Sequence, residues 1–334
     1  MIIAGWARRE ERGSVVLVRL MIWLSLNLGW RMANALLFPI TAYFWLFSRG
    51  TRPASRAFLT RALDRKPTRS DVFRHIFVFA SVLLDRVFLL SNQGQHIKIE
   101  VNGLPDLTAV LARHRGCVLL GSHLGSFEVL RAFARQSPVP VKVLMYRGND
   151  GPYSRSVATL DPALASNIIE IGTPEAMLRV SECLERGEMI GILADRTPRG
   201  EKLTGVPFFG DPAPFPTGPL ILAAVLRVPV VLFFGIHTGA GRYAVIFEHF
   251  ADRILLDGTR RDREVAVWVR RYAERLEVWC RRYPFNWFNF YDFWEHPGHE
   301  AALPTQVQCR ASSALPDSAH VADGAELGVA PPTD

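Results

Sequence analysis

Gly121-Ser-His-Leu-Gly-Ser-Phe-Glu128 holds the residues best suited to chemistry. An apolar run, Cys117 to Leu120, leads into it, and a helical stretch from Val129 follows. A strand thus delivers His123 into a turn, Gly125 lets the chain bend, and Glu128 falls in the first helical turn. Open α/β proteins keep their sites at such strand ends. A positioned histidine is a general base near neutral pH, and a carboxylate beside it can fix the tautomer and stabilise the imidazolium. Backbone N–H groups near Gly125 are candidates for stabilising an oxyanion. The pattern is neither HExxH nor a zinc-ligand array, so no metal is expected. A nucleophile elbow would place serine where His123 stands. The base therefore has no evident protein nucleophile and is suited to activating a substrate hydroxyl or amine.

Four further segments offer polar groups. Arg147 ends the strand Val141–Met145 and suits a phosphate clamp. Asp195 and Arg196 follow the strand Met189–Leu193, as a structural ion pair or a headgroup site. The Pro/Phe/Gly loop from Val206 runs through Thr217 and Gly218 into a helix whose free N–H groups can face an anion. The aromatic run Tyr283–Trp294 is either a packing element or a wall for an acyl chain.

Positioning these groups requires a sheet. Strands are expected at His96–Val101, Cys117–Gly121, Val141–Met145, Met189–Leu193, Val228–Phe234 and Tyr243–Phe250. Helices are expected at Asp71–Leu90, Ser126–Gln136, Pro174–Arg186, Thr217–Leu226 and Asp262–Arg282. The alternation predicts an α/β fold with a mixed, mostly parallel central sheet flanked by helices. Residues 51–298 form that domain, with 53–70 a basic connector. Residues 299–334, rich in Ala, Ser, Pro and Asp, read as a disordered tail.

Residues 1–50 read as an N-terminal hydrophobic helical membrane anchor. The apolar stretch Val15–Phe47 is flanked by arginines, interrupted by Arg19 and Arg31 and broken at Pro39. A tilted span, a helix lying in the interface and a buried helical hairpin are all open. The chain has 334 residues and a net charge of +7, enough for a large core and for affinity to anionic surfaces. Its basic residues are scattered and carry no zinc-finger or RNA-binding signature, so nucleic acid is not expected. Four cysteines without a CxxC pair argue for reduced thiols.

Taken together, Gly121–Glu128, Tyr146-Arg147, Asp195-Arg196, Pro207-Phe-Phe-Gly210 and Thr217-Gly-Pro resemble the bacterial lipid A biosynthesis acyltransferases of the lysophospholipid acyltransferase superfamily. The resemblance covers most of residues 10–295. It implies an enzyme on the cytoplasmic face of the inner membrane. Such an enzyme transfers an acyl chain from acyl carrier protein or coenzyme A to a lipid acceptor, without cofactor. It implies His123 and Glu128 as the catalytic dyad, with Arg147, Asp195, Arg196, Gly125, Ser126, Thr217 and Gly218 binding substrate. Ser126-Phe127 and the aromatic ending depart from the lipid A enzymes and are similar to the branch that serves aryl polyene and xanthomonadin-type pigments, which implies an aryl-lipid acceptor. A late acyltransferase of lipid A itself, a thioesterase and a catalytically silent lipid-binding membrane protein are the alternatives.

Overall fold

A computed structural model describes residues 15–294, apart from 49, 114–115, 135–138, 147–155, 158, 162–166, 197–200 and 259. All of these fall within one compact unit, Met1–Gly298. The expected tail, 299–334, lies outside the described residues.

The apolar N-terminal stretch forms two helices, α1 (Val15–Leu28) and α2 (Trp30–Phe47). Gly29 separates them with φ +77°, a conformation that glycine adopts without strain. The break leaves segments of 14 and 18 residues, and a span takes about 20. Among the described residues no helix is long and apolar enough to cross a membrane. Pro39, expected to break the run, lies inside α2, which continues through it with one backbone hydrogen bond fewer.

The stretch 53–70, expected as a connector, is largely the helix α3 (Thr51–Ala62). Pro53 sits in its first turn, where a missing N–H costs nothing. Ala54, Phe58 and Ala62, at i, i+4 spacing, are buried together with Ser55 and Leu59. Next comes α4 (Arg69–Leu90), started by a capping box in which Thr68 Oγ1 accepts the Asp71 N–H and Asp71 accepts the Thr68 N–H.

The sheet holds β1 (Lys98–Asn102), β2 (Cys117–Gly121), β3 (Val141–Tyr146), β4 (Ile168–Ile171), β5 (Met189–Leu193), β8 (Val230–Gly239) and β9 (Arg242–Ala251). Their order is β1-β9-β8-β2-β5-β3-β4. Every neighbouring pair is parallel except the hairpin β8–β9. The mostly parallel α/β sheet is therefore as expected, extended by β4. The helices around it are α5 (Leu104–Arg113), α6 (Glu128–Ala134), α7 (Pro174–Glu185), α8 (Gly218–Leu226) and α9 (Arg261–Arg282). Val118 and Leu120 of β2 join one core with α3, α7, α8 and α9. Cys117 and Leu119 point the other way and join a second core with α2, α4, α5 and α6. Burial on both faces gives the continuous apolar reading of β2.

The segment read as a Pro/Phe/Gly loop is instead a separate two-stranded hairpin, β6 (Leu203–Phe208) and β7 (Asp211–Pro216). Phe209 and Gly210 both have positive φ, the signature of a type I′ turn. A ladder with only one partner has an outer edge that needs no donor, which is where proline is tolerated. Cys117, Cys183 and Cys280 are buried free thiols.

One buried carboxyl ties three elements together. Asp85 of α4 accepts hydrogen bonds from Trp30 Nε1 of α2 (2.6 Å) and Tyr243 Oη of β9 (2.8 Å). Burial pushes its pKa up to about 6, against the pull of those two donors. A carboxyl raised above its unfolded value favours folding most at low pH, and that contribution is lost as pH rises through the folded pKa. Asp85→Asn removes the titration. Relative to this variant, the wild type should lose about 2–3 kcal/mol between roughly pH 4 and pH 6. Urea unfolding of both proteins across that range measures the difference.

Candidate active site

Strand pairing places His123. β2 and β5 are adjacent and parallel, with Gly121 opposite Leu193. His123 and Asp195 each lie two residues beyond that pair, so the register carries them to the same level. The ladder runs on through the Ala194 N–H, which donates to the Gly121 carbonyl at 3.0 Å. Asp195 then supplies side-chain oxygen in place of backbone. Its Oδ2 accepts the His123 N–H at 3.0 Å, and its Oδ1 lies 2.8 Å from His123 Nδ1.

Asp195 is fully buried, and a buried carboxylate needs its lone pairs filled. Oδ2 accepts two more hydrogen bonds, from Trp287 Nε1 at 3.0 Å and Asn289 Nδ2 at 3.1 Å. Burial alone would raise its pKa, but the imidazole, Arg196 and the donated hydrogen bonds outweigh it and hold the carboxyl below the usual range. Asp195 is thus an acceptor only, and Nδ1 carries the proton that faces it. That tautomer leaves the lone pair on Nε2.

Arg196 stands over the ring. Its Nε lies 2.8 Å from Nε2 and 2.9 Å from Nδ1. Near-equal distances to both nitrogens place the guanidinium against the face of the imidazole and leave the in-plane lone pair of Nε2 open. The His123 side chain remains 25% exposed. Burial first, then the charge of Arg196, lower its pKa, and Asp195 opposes them. The imidazole is neutral at pH 7 and able to take a proton.

No described contact joins Glu128 to His123. Glu128 begins α6, and its two oxygens bind Arg131 (2.8 Å) and Arg86 of α4 (3.0 Å). Arg131 also reaches Asp161 at 3.1 Å. The sequence placed the acid on the helix after His123. The carboxylate in contact with His123 comes instead from the end of the neighbouring strand.

The Gly125 and Ser126 N–H groups, candidates for an oxyanion, are engaged in backbone bonds. The Gly125 N–H donates to the Asn286 carbonyl (2.8 Å) and the Ser126 N–H to the Gly235 carbonyl (2.7 Å). The turn is stitched between β8 and the segment after α9. Gly125 is needed there: it has φ +78°, and a Cβ would lie 2.0 Å from the Gly235 oxygen. Phe127 packs edge-on to Phe233, with ring centroids 6.0 Å apart.

Of the other expected residues, Arg147 lies outside the described residues. The Thr217 hydroxyl donates to the Lys202 carbonyl at the base of the β6–β7 hairpin (3.1 Å), and Gly218 opens α8. No described contact joins either residue to His123. Among the described residues, no three His, Cys, Asp or Glu side chains are grouped to hold a metal ion. A groove of about 750 Å³ between α7 and α8 is lined by Gly116, Leu178, Val228 and Pro229. It lies at the opposite ends of β2 and β8 from His123.

Sequence reasoning missed Trp287 and Asn289 as partners of Asp195, because nothing local marks them. It also missed Tyr272 of α9, whose hydroxyl donates to the Gly121 carbonyl at 2.8 Å. The aromatic run is chiefly a packing element. Trp287 is fully buried, and Phe288 and Phe293 nearly so. His75 of α4 is 2.9 Å from the Trp287 carbonyl through Nε2 and 2.9 Å from Ser55 through Nδ1. Burial lowers the His75 pKa to about 4, so this link stays neutral.

Comparison with known families finds a match to the bacterial lipid A biosynthesis acyltransferases over residues 76–296, which include the whole of this site. No curated protein matches the chain.

Gly125→Ala should disrupt the site. The αL strain alone is worth about 1–3 kcal/mol, and the clash with Gly235 forces the turn away from β8. We expect a loss of at least about 3 kcal/mol of stability, read as a lowered urea midpoint.

Proposed function

The chain belongs to the bacterial lipid A biosynthesis acyltransferase family, an acyltransferase family, and from that premise we propose how it acts. It moves an acyl chain from a thioester, on acyl carrier protein or coenzyme A, to a hydroxyl or amine of a lipid. His123 Nε2 takes the proton as the acceptor oxygen or nitrogen attacks the thioester carbonyl. The tetrahedral intermediate collapses, the carbon–sulfur bond breaks, and the departing thiolate takes the proton back from the imidazolium. Asp195 holds the Nδ1–H tautomer and stabilises the positive ring. The observation that carries this reading is the His123–Asp195 pair itself, with the carboxylate filled by four donors and Nε2 left as the basic atom.

Glu128 acts one step back in this scheme. Its ion pairs with Arg86 and Arg131 anchor the start of α6, directly after the catalytic turn. Gly125 and Ser126 serve through their backbone, by holding the turn against β8. Arg147 and Arg196 are the candidates for phosphate on donor or acceptor. For the acceptor we propose a lipid or aryl-lipid, without a choice between them. The two departures that suggested an aryl group, Phe127 and the aromatic run, are largely engaged in packing.

We also place the protein at the cytoplasmic face of the inner membrane. The support is the surface of the α1–α2 hairpin. Trp23, Phe38, Tyr43 and Phe47 are each more than half exposed there, beside Leu20, Met32 and Leu46. A soluble protein rarely shows so continuous an apolar face. Amphipathic helices with aromatic residues on that face lie in the headgroup zone.

Two sets of variants test these assignments. His123→Ala should lower turnover by about 10²–10⁴-fold, the usual worth of a general base. Asp195→Asn should do similar damage, because an amide can no longer be relied on to fix the productive tautomer. Glu128→Gln should lower the urea midpoint more than it lowers the rate of the remaining folded protein. Steady-state kinetics on purified variants, with acyl transfer scored separately from hydrolysis, reads all three. A Glu128→Gln protein that is fully folded yet as inactive as His123→Ala would return the dyad to Glu128.

For the membrane, Trp23→Glu combined with Phe38→Glu should shift the protein from liposome-bound to free in flotation. Unchanged binding would move the contact away from α1 and α2.

A further inference from the structure

We propose that the arginines of α1, α2 and α3 bind the phosphate groups of anionic lipids, so that the protein selects a negatively charged membrane over a neutral one. The inference rests on the reading of the α1–α2 hairpin as the membrane contact.

Charge along this part of the chain is one-sided. From Val15 to Ala62 there are six arginines and no lysine, aspartate or glutamate. Arg49 lies outside the described residues, and Arg61 is bound to Asp211 at 2.7 Å. The other four are Arg19, Arg31, Arg52 and Arg56. Arg19, Arg31 and Arg56 are exposed, and Arg52 is half-buried. Among the described residues no carboxylate pairs with any of the four. Like charges left unmatched repel one another, and a surface of opposite sign offsets that repulsion.

Their placement follows the exposed apolar face. Arg19 stands four residues before Trp23, so the two share a face of α1. Arg31, Phe38 and Trp45 recur every seven residues, about two turns, and share one edge of α2. Phe73 of α4 packs under that edge, its ring 5.2 Å from Phe38 and 6.3 Å from Trp45. Arg52 closes the edge, with its guanidinium 5.9 Å from the centre of the Trp45 ring. Arg56 follows one turn later on α3. When such helices lie in the interface, the rings enter the acyl boundary and the long basic side chains reach back to the headgroups. The guanidinium fork matches phosphate oxygens. Four basic groups on amphipathic helices are enough to recognise anionic lipid.

A lipid surface fits this array better than a free phosphate does. Arg31 and Trp45 are about 21 Å apart along α2, from the helical rise per residue. One small ion cannot bridge that edge, whereas a sheet of headgroups meets every arginine along it.

Flotation of the full chain tests the assignment, with vesicles of phosphatidylcholine alone or containing about one third phosphatidylglycerol. Wild type should partition at least about tenfold more strongly into the charged vesicles at low salt. The excess should shrink at about 0.5 M salt, where screening is strong. Arg31→Gln combined with Arg56→Gln should weaken binding to charged vesicles at least about tenfold and leave binding to neutral ones unchanged. Arg31→Lys combined with Arg56→Lys keeps both charges and should stay within about threefold of wild type. Equal partition of wild type into both vesicles would overturn the selectivity while the membrane contact stands. So would a lysine pair that loses as much as the glutamine pair. Failure to bind either vesicle would overturn the membrane contact, and this inference with it.

Discussion

The parallel pairing of β2 with β5 is the constraint on which the site depends. Opposite each other in register, Gly121 and Leu193 end two central strands whose next residues but one are His123 and Asp195. Parallel strands advance at the same rise per residue, so equal offsets arrive together. The remaining structure serves to hold the ends of these strands still. Tyr272 and Ala194 both donate to the Gly121 carbonyl, and the Gly125 turn is tied to Gly235 and Asn286.

Around this pair the protein solves the cost of a buried charge. An uncompensated carboxylate inside a protein is strongly unfavourable. Asp195 escapes that cost through donors drawn from separate parts of the chain: a backbone N–H, an imidazole, an indole and an amide. Leaving one such group unmatched costs roughly 1–3 kcal/mol, so the arrangement stabilises the fold as well as the tautomer. Glu128 is handled differently. It is neutralised by two arginines, one from α4 and one from its own helix. The two acids are thus a hydrogen-bonded partner for His123 and an ion-paired brace for the turn that follows it.

What was legible in the sequence follows from range. The bounds of β2 and β5 could be read because each is a short apolar run closed by a turn, and His123 was found because glycines bracket it. Asp195 and Arg196 were noticed at a strand end, but their role was not, because strand order is invisible in one chain. Glu128 was given to His123 on sequence proximity and on the family resemblance of the His-x4-Glu spacing. Trp287 and Asn289 lie 92 and 94 residues beyond Asp195, and only tertiary packing makes them partners. The helix α3 was hidden by its arginines and Pro53, which masked a regular buried face. The β6–β7 hairpin was hidden by its prolines, which argue against strands except where an edge goes unpaired. In the N-terminal stretch a single glycine decided between one long helix and two shorter ones.

The dependence of Asp195 on Trp287 and Asn289 also fixes an order of events during synthesis. A chain emerging from the ribosome can pair β2 with β5 long before the segment after α9 exists. Until that segment docks, the buried face of Asp195 lacks two of its donors, Leu124 lacks its bridge to Trp287, and the Gly125 N–H lacks the Asn286 carbonyl. A chain that stops short of this segment therefore carries His123 and Asp195 without a settled tautomer or a fixed turn. The last residues of the fold to be made are the ones that complete the surroundings of a histidine more than 160 residues earlier.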